Sequence, residues 1–151
     1  MAQIFFNVDD REVKSLLKKL KRRVLNRQPA MRDISIFMKK EVLENFKEEG
    51  RPTHWKPLSP QYAKYKDETR GAGKPILEFD GKLKQSINAR STDDNAIVRT
   101  GVKYGVYQQT GTGSGLPARP FMPDKKNRDM PPFDVRGLQK IVDILSGYLE
   151  L

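Results

Sequence analysis

Residues 29–59 read PAMRDISIFMKKEVLENFKEEGRPTHWKPLS. The first part of this stretch has the spacing of a helix, and the last part cannot continue one. Pro29 suits a first helical turn, where a missing N–H is no loss. Met31, Ile34, Phe37, Met38, Val42 and Phe46 then recur three or four apart and form one apolar stripe. Gly50, with Pro52 just beyond it, is a stop. At ~1.5 Å per residue the pattern predicts a helix about 30 Å long, the spine of the domain. Glu48 and Glu49 stand in its last turn, where they oppose the helix dipole. The segment that follows, Arg51 to Ser59, carries the only tryptophan, Trp55, and the only histidine, His54, between two prolines. A bulky aromatic in a proline-rich loop acts as an anchor, because a loop has few other ways to hold its path. Pro117-Ala118-Arg119-Pro120-Phe121-Met122 is built in the same way, with proline, one arginine and then an apolar plug.

Outward from the spine, Gln3–Val8 reads as a short strand. Asp9 and Glu12 form a capping-box pattern ahead of a helix over roughly residues 10–25, with Val13, Leu16, Leu17, Leu20 and Val24 at helical spacing. Residues 51–75 read as an extended loop with one helical turn at Pro60–Tyr65 and a flexible Gly71–Pro75 end. Ile76–Phe79 is a strand candidate, and Asp80 a cap for a short helix holding Leu83 and Ile87. Residues 87–91 and 96–102 read as a hairpin turning at Asp93-Asp94-Asn95. Tyr104–Gln109 suggests a short helical segment ended by Gly111. Asp134 caps a last helix whose apolar face is Val135, Leu138, Ile141, Val142, Leu145 and Leu149. A length of 151 residues, with no internal repeat, predicts one α+β domain over residues 1–151. The expected architecture is a long helix packed on a small, mostly antiparallel sheet, with extended loops.

Catalytic chemistry finds little support. Without cysteine there is no disulfide, no thiol nucleophile and no thiolate metal site. A Ser–His–Asp triad would have to use His54, which sits in a proline-rich loop with no nucleophile elbow. Asp80, Asp93, Asp94 and Asp124 are scattered over turn-like places rather than clustered for a metal. The stretch Gly111-Thr112-Gly113-Ser114-Gly115 lacks the Gly-Lys-Ser/Thr ending of a phosphate loop. No enzyme, cofactor or metal is expected. No apolar run approaches the ~18 residues of a membrane span, and the start lacks the pattern of a signal peptide.

Charge is the other strong feature. The formal net charge is +10, and residues 13–32 carry eight cations and no acid. Like charges three and four apart weaken a helix, and a polyanion or an acidic partner would relieve them. Screening by salt on a solvated face is the plain alternative. Lys18, Lys21, Arg22 and Arg23 form the candidate electrostatic patch.

The order and spacing of several segments resemble the phage virion morphogenesis (tail-completion) proteins of Mu-like phages and prophages. The matching residues are Val8-Asp9-Asp10, Met31-Arg32-Asp33-Ile34, Phe46, Arg51-Pro52 and Trp55-Lys56-Pro57-Leu58-Ser59. They continue with Pro75-Ile76-Leu77, Gly81, Leu83, Ser86-Ile87, Tyr104, Gln109, Gly111 and Pro117–Met122. Asp80 and Gly105 depart from the threonine and alanine usual there. The resemblance implies a small structural α+β subunit that completes the tail or neck for head–tail joining. Related terminators and neck proteins form rings, commonly hexameric. Partners would then be copies of the chain itself and tail-tube or neck proteins, in the virion and, during assembly, the host cytoplasm. Trp55, Arg119, Pro120 and Phe121 are the candidate interface or loop-anchoring residues. A different class of function, nonspecific nucleic-acid binding through the basic helix at residues 13–32, competes with this one.

Overall fold

The structure is a computed structural model and describes residues 11–124 and 126–150. The expected strand at Gln3–Val8 and the Asp9 cap lie outside the described residues. Helix α1 spans Arg11–Leu25 and α2 spans Gln28–Lys47. Helix α3 covers Pro60–Arg70, and a single turn, α4, covers Lys82–Gln85. Strands β1 (Ile87–Ser91) and β2 (Ala96–Thr100) follow, then α5 (Gly105–Thr110) and α6 (Val135–Leu149).

Helix α2 is the spine. Ile34, Val42 and Phe46 of the stripe are buried, together with Ala30 on the same side. Against them lies the antiparallel hairpin, in which Ile87 pairs with Thr100, Ala89 with Val98 and Ser91 with Ala96. The period-2 rule decides the facing: positions 87, 89, 91, 96, 98 and 100 are the less exposed set, and the residues between them are exposed. The core joins Val42, Phe46, Trp55, Leu83, Ile87 and Phe121. Helix α6 begins at Asp134, whose carboxylate accepts the Gly137 N–H at 2.9 Å, and packs on α2 and α1. Val13, Leu16, Leu17 and Val24 on α1, and Val135, Leu138 and Val142 on α6, remain exposed.

Three expectations fail. The short helix does not hold Ile87: α4 ends at Gln85 and Ile87 opens β1. The loop after α2 holds a three-turn helix rather than one turn. Ser59 caps it by accepting the Tyr62 N–H at 3.3 Å, with Pro60 in the first turn. Its sequence, PQYAKYKDETR, is polar on nearly every face, so no periodicity announces it. Ile76–Phe79 forms no strand. The ammonium of Lys66, a residue only 1% exposed, donates to the carbonyls of Lys74, Pro75 and Ile76. The Ile76 N–H donates to Glu49 at 2.6 Å, and Glu78 N–H closes a turn onto Pro75. With its backbone groups taken by these partners, the segment has no ladder to join. Glu49 itself lies past the end of α2 at φ 53°, so its charge answers this loop rather than the helix dipole.

Candidate functional site

Gly50 sets the course of the first proline loop. Its φ is +107°, and a Cβ there would stand 2.7 Å from Thr53 O and 2.8 Å from Trp55 Cδ1. Only glycine fits both the conformation and the space. The chain therefore doubles back, with Trp55 N–H donating to Glu49 O at 2.7 Å, and drops the indole into the core. There it meets Phe46 edge-on, with ring centres 5.9 Å apart at 84°. Phe46 also packs on Phe121, 5.3 Å away. Arg51 braces the start of the loop by donating to Asn45 Oδ1 at 2.9 Å and to Glu41 at 3.0 Å. His54 Nδ1 lies 2.9 Å from Glu48 O; a carbonyl only accepts, so this nitrogen carries the proton.

The second proline loop is held by side chains rather than by a strand. Trp55 Nε1 donates to Pro120 O at 2.7 Å. Asn45, fully buried on α2, donates to Phe121 O at 3.1 Å. Gln109 of α5 donates to Met122 O at 2.6 Å, and its own amide oxygen accepts the N–H groups of Phe121 and Met122. Arg119 N–H donates to Gln108 O at 2.7 Å, and Pro120 has no N–H to satisfy. The N–H groups of Arg119, Phe121 and Met122 and the carbonyls of Pro120, Phe121 and Met122 are thus served without a sheet. Arg119 returns the tie: Nε donates to Lys56 O at 2.9 Å and Nη2 to Pro57 O at 3.1 Å. Its side chain is buried, and that burial pulls its pKa below the ordinary arginine value, with Tyr62 opposing.

Trp55, Arg119, Pro120 and Phe121, the four residues singled out from the sequence, are thus brought together at one place. Within the protomer they lock two loops to each other and to the spine. Trp55, Arg119 and Phe121 are buried there. Lys18, Lys21 and Arg22 are exposed on α1, far from this junction in the chain and on a different element. Arg23 is half-buried beside Tyr148, and its Nη1 has no hydrogen-bond partner among the described residues. Arg27, farther along the basic run, pairs with Asp94 in the hairpin turn.

In front of the tied loops opens a groove of about 1050 Å³. It is lined by Lys56–Ser59 and Tyr62, by Ile76, Leu77, Phe79, Asp80, Lys82 and Leu83, and by residues 114–117 with Tyr104 and Gln108. Arg119 also lines it. At its edge Phe79 stacks with Tyr62 and Tyr65 at 6.5 and 6.2 Å, and the Arg70 guanidinium sits 4.8 Å from the Phe79 ring centre. Sequence reasoning missed Asn45, Gln109 as a bracket, Arg51 and Lys66. Asn45 left one signal: an amide beside Phe46 on the buried side of a helix must have a partner. Among the described residues no three His, Cys, Asp or Glu side chains cluster as metal ligands.

Comparison with known proteins gives the family. The model of the phage virion morphogenesis family matches residues 8–150. The Mu-like prophage FluMu G protein 2 of Haemophilus influenzae is 31% identical over 128 residues, covering 81% of this chain and 83% of that protein. No solved structure matches. The chain belongs to the phage virion morphogenesis family, which supports a structural role in phage morphogenesis.

Proposed function

We propose that this virion morphogenesis protein completes the head-proximal end of a phage tail, or the neck, and so makes head and tail competent to join. It acts as a ring of like subunits carried into the virion after assembly in the host cytoplasm. The observation that carries the reading is the pair of interlocked proline loops in a chain matched along nearly its whole length by the family. Interlocking gives a subunit a rigid contact surface, and rigid surfaces lose less entropy on association. The uncovered apolar faces of α1 and α6 also suit a protein that finishes burying its surface in an assembly.

The decisive experiment deletes the gene from a phage or inducible prophage that encodes it. Filled heads and unattached tails should accumulate, and supply of the protein in trans should restore joined particles. Infectious particles formed without it would refute the reading. Light scattering across concentration, alone and with purified tails, tests the ring: a complex of several subunits is expected on tails, and a lone monomer there refutes it.

Nucleic-acid binding remains a second reading because α1 presents exposed Lys18, Lys21 and Arg22 and holds no acid after Glu12. If about five phosphates are neutralised, log K against log salt should fall with a slope near −4.5. Absence of binding to duplex DNA at low salt removes it.

A further inference from the structure

We propose that the groove in front of the tied loops binds an extended peptide segment of another virion protein, one that carries a carboxylate side chain flanked by apolar residues. The inference rests on the assembly role proposed above and names what that surface grips.

Charge points to the carboxylate. Arg119 is only 4% exposed, yet the partners of its guanidinium are the carbonyls of Lys56 and Pro57. Those dipoles offset part of the desolvation cost, but a carbonyl does not neutralise a buried cation. Lys56 and Lys82 line the same groove. The one acid in the lining, Asp80, is already engaged with Lys82 at 3.1 Å and with the Lys82 N–H at 3.0 Å. The groove therefore presents an excess of positive charge, one centre of which is largely removed from water. With Nε and Nη2 of Arg119 each donating to a carbonyl, an entering carboxylate would meet the remaining guanidinium N–H groups and the exposed ammonium of Lys56.

Shape and lining point to a peptide. A volume of about 1050 Å³ is far more than one carboxylate fills. Leu58, Leu77, Leu116 and Tyr104 supply apolar surface in the same groove. Pro57 and Pro117 stiffen two of the walls. An extended chain offers side chains to both sides and so can set apolar groups on the leucines while it presents a carboxylate to the cations. Phosphate-backbone ligands want a stripe of exposed cations instead, which α1 carries and the groove does not.

The test uses the full-length protein, labelled with nitrogen-15, and two libraries of capped pentapeptides. Both have apolar residues at the flanking positions; the central residue is glutamate in one and glutamine in the other. The glutamate library should shift the amides of Tyr104, Gly115 and Leu116 and bind about tenfold tighter than the glutamine library, as expected for gaining a partner to a buried charge. Lys56→Glu and Tyr104→Ser, both at exposed positions, should weaken that binding while leaving the denaturation midpoint unchanged. Equal binding of the two libraries, shifts confined to α1, or no shift at millimolar peptide would overturn the proposal. So would loss of self-association in Tyr104→Ser, which would give the groove to a second copy of the chain. The two proposals fail separately. If gene deletion abolishes joined particles but the double variant stays fully infectious, the assembly role stands and the groove proposal falls. If peptides bind as expected but deletion leaves particles infectious, the reverse holds.

Discussion

Replacing the Trp55 indole tests the junction at its centre. The ring is buried, stands edge-on to Phe46, and holds Pro120 O through one N–H at 2.7 Å. Trp55→Phe keeps a six-membered ring but removes the donor and the rest of the indole. An orphaned carbonyl costs about 1–3 kcal/mol. The lost ring atoms add about 1–2 kcal/mol of transfer and cavity terms. A total of about 3 kcal/mol should lower the melting temperature by roughly 6–12 °C in a chain of this size. Urea denaturation measures it, with the midpoint falling and the slope unchanged. A second variant separates the terms: benzothienylalanine at position 55 has nearly the same shape with sulfur in place of N–H. It should lose about 1–3 kcal/mol, the share of the hydrogen bond. A benzothienyl protein as stable as wild type would refute the claim that this bond ties the loops. Trp55→Ala and Arg119→Ala, natural probes of assembly, must for the same reason be read beside a stability measurement, because both remove anchors of the fold.

Other outcomes follow from the same geometry. Gly50→Ala should destabilise by more than about 1 kcal/mol, through its left-handed backbone and the 2.7 Å approach to Thr53 O, whereas Gly113→Ala, with open space around it, should be neutral in the same urea titration. Lys66→Met leaves the carbonyls of Lys74, Pro75 and Ile76 without their donor and should cost about 2–4 kcal/mol. Burial lowers the Lys66 pKa below the ordinary 10.5, so the unfolded chain holds the extra proton between the two values. Wild-type stability relative to Lys66→Met should therefore rise with pH through that window and level off above 10.5; a flat difference would show that burial has not shifted the group. Burial alone would push the Asp124 carboxyl up, but hydrogen bonds from Gln109 and from the N–H groups of Lys126 and Asn127 hold it below the usual 3.8. Its contribution is present above that value and should be lost as pH falls through the folded-state value, a loss absent in Asp124→Asn by acid titration of the denaturation midpoint.

Much of the architecture was legible because it rests on local pattern. The α2 stripe, the hairpin alternation, the Asp134 cap and the Gly50 and Gly111 stops are rules of period and capping, and each appears where those rules place it. What the pattern could not reveal is satisfied by long-range polar contacts. Lys66 reads as an ordinary surface lysine, yet it organises the loop at 74–76 and abolishes the strand that Ile76–Phe79 suggests. Helix α3 depends on its cap and on packing, not on an apolar stripe. At the site, the arginine and tryptophan were marked by residue type and proline context. Their inward direction was not, because loop side chains have no fixed period to say which way they face.

The second proline loop is shaped by holders that arrive from far along the chain. Asn45 reaches Phe121 across 76 residues of sequence, and Trp55 reaches Pro120 across 65. Closing loops that long costs more chain entropy than closing short ones. The groove whose wall this loop forms is therefore a product of the whole fold, and no isolated stretch of the chain contains it.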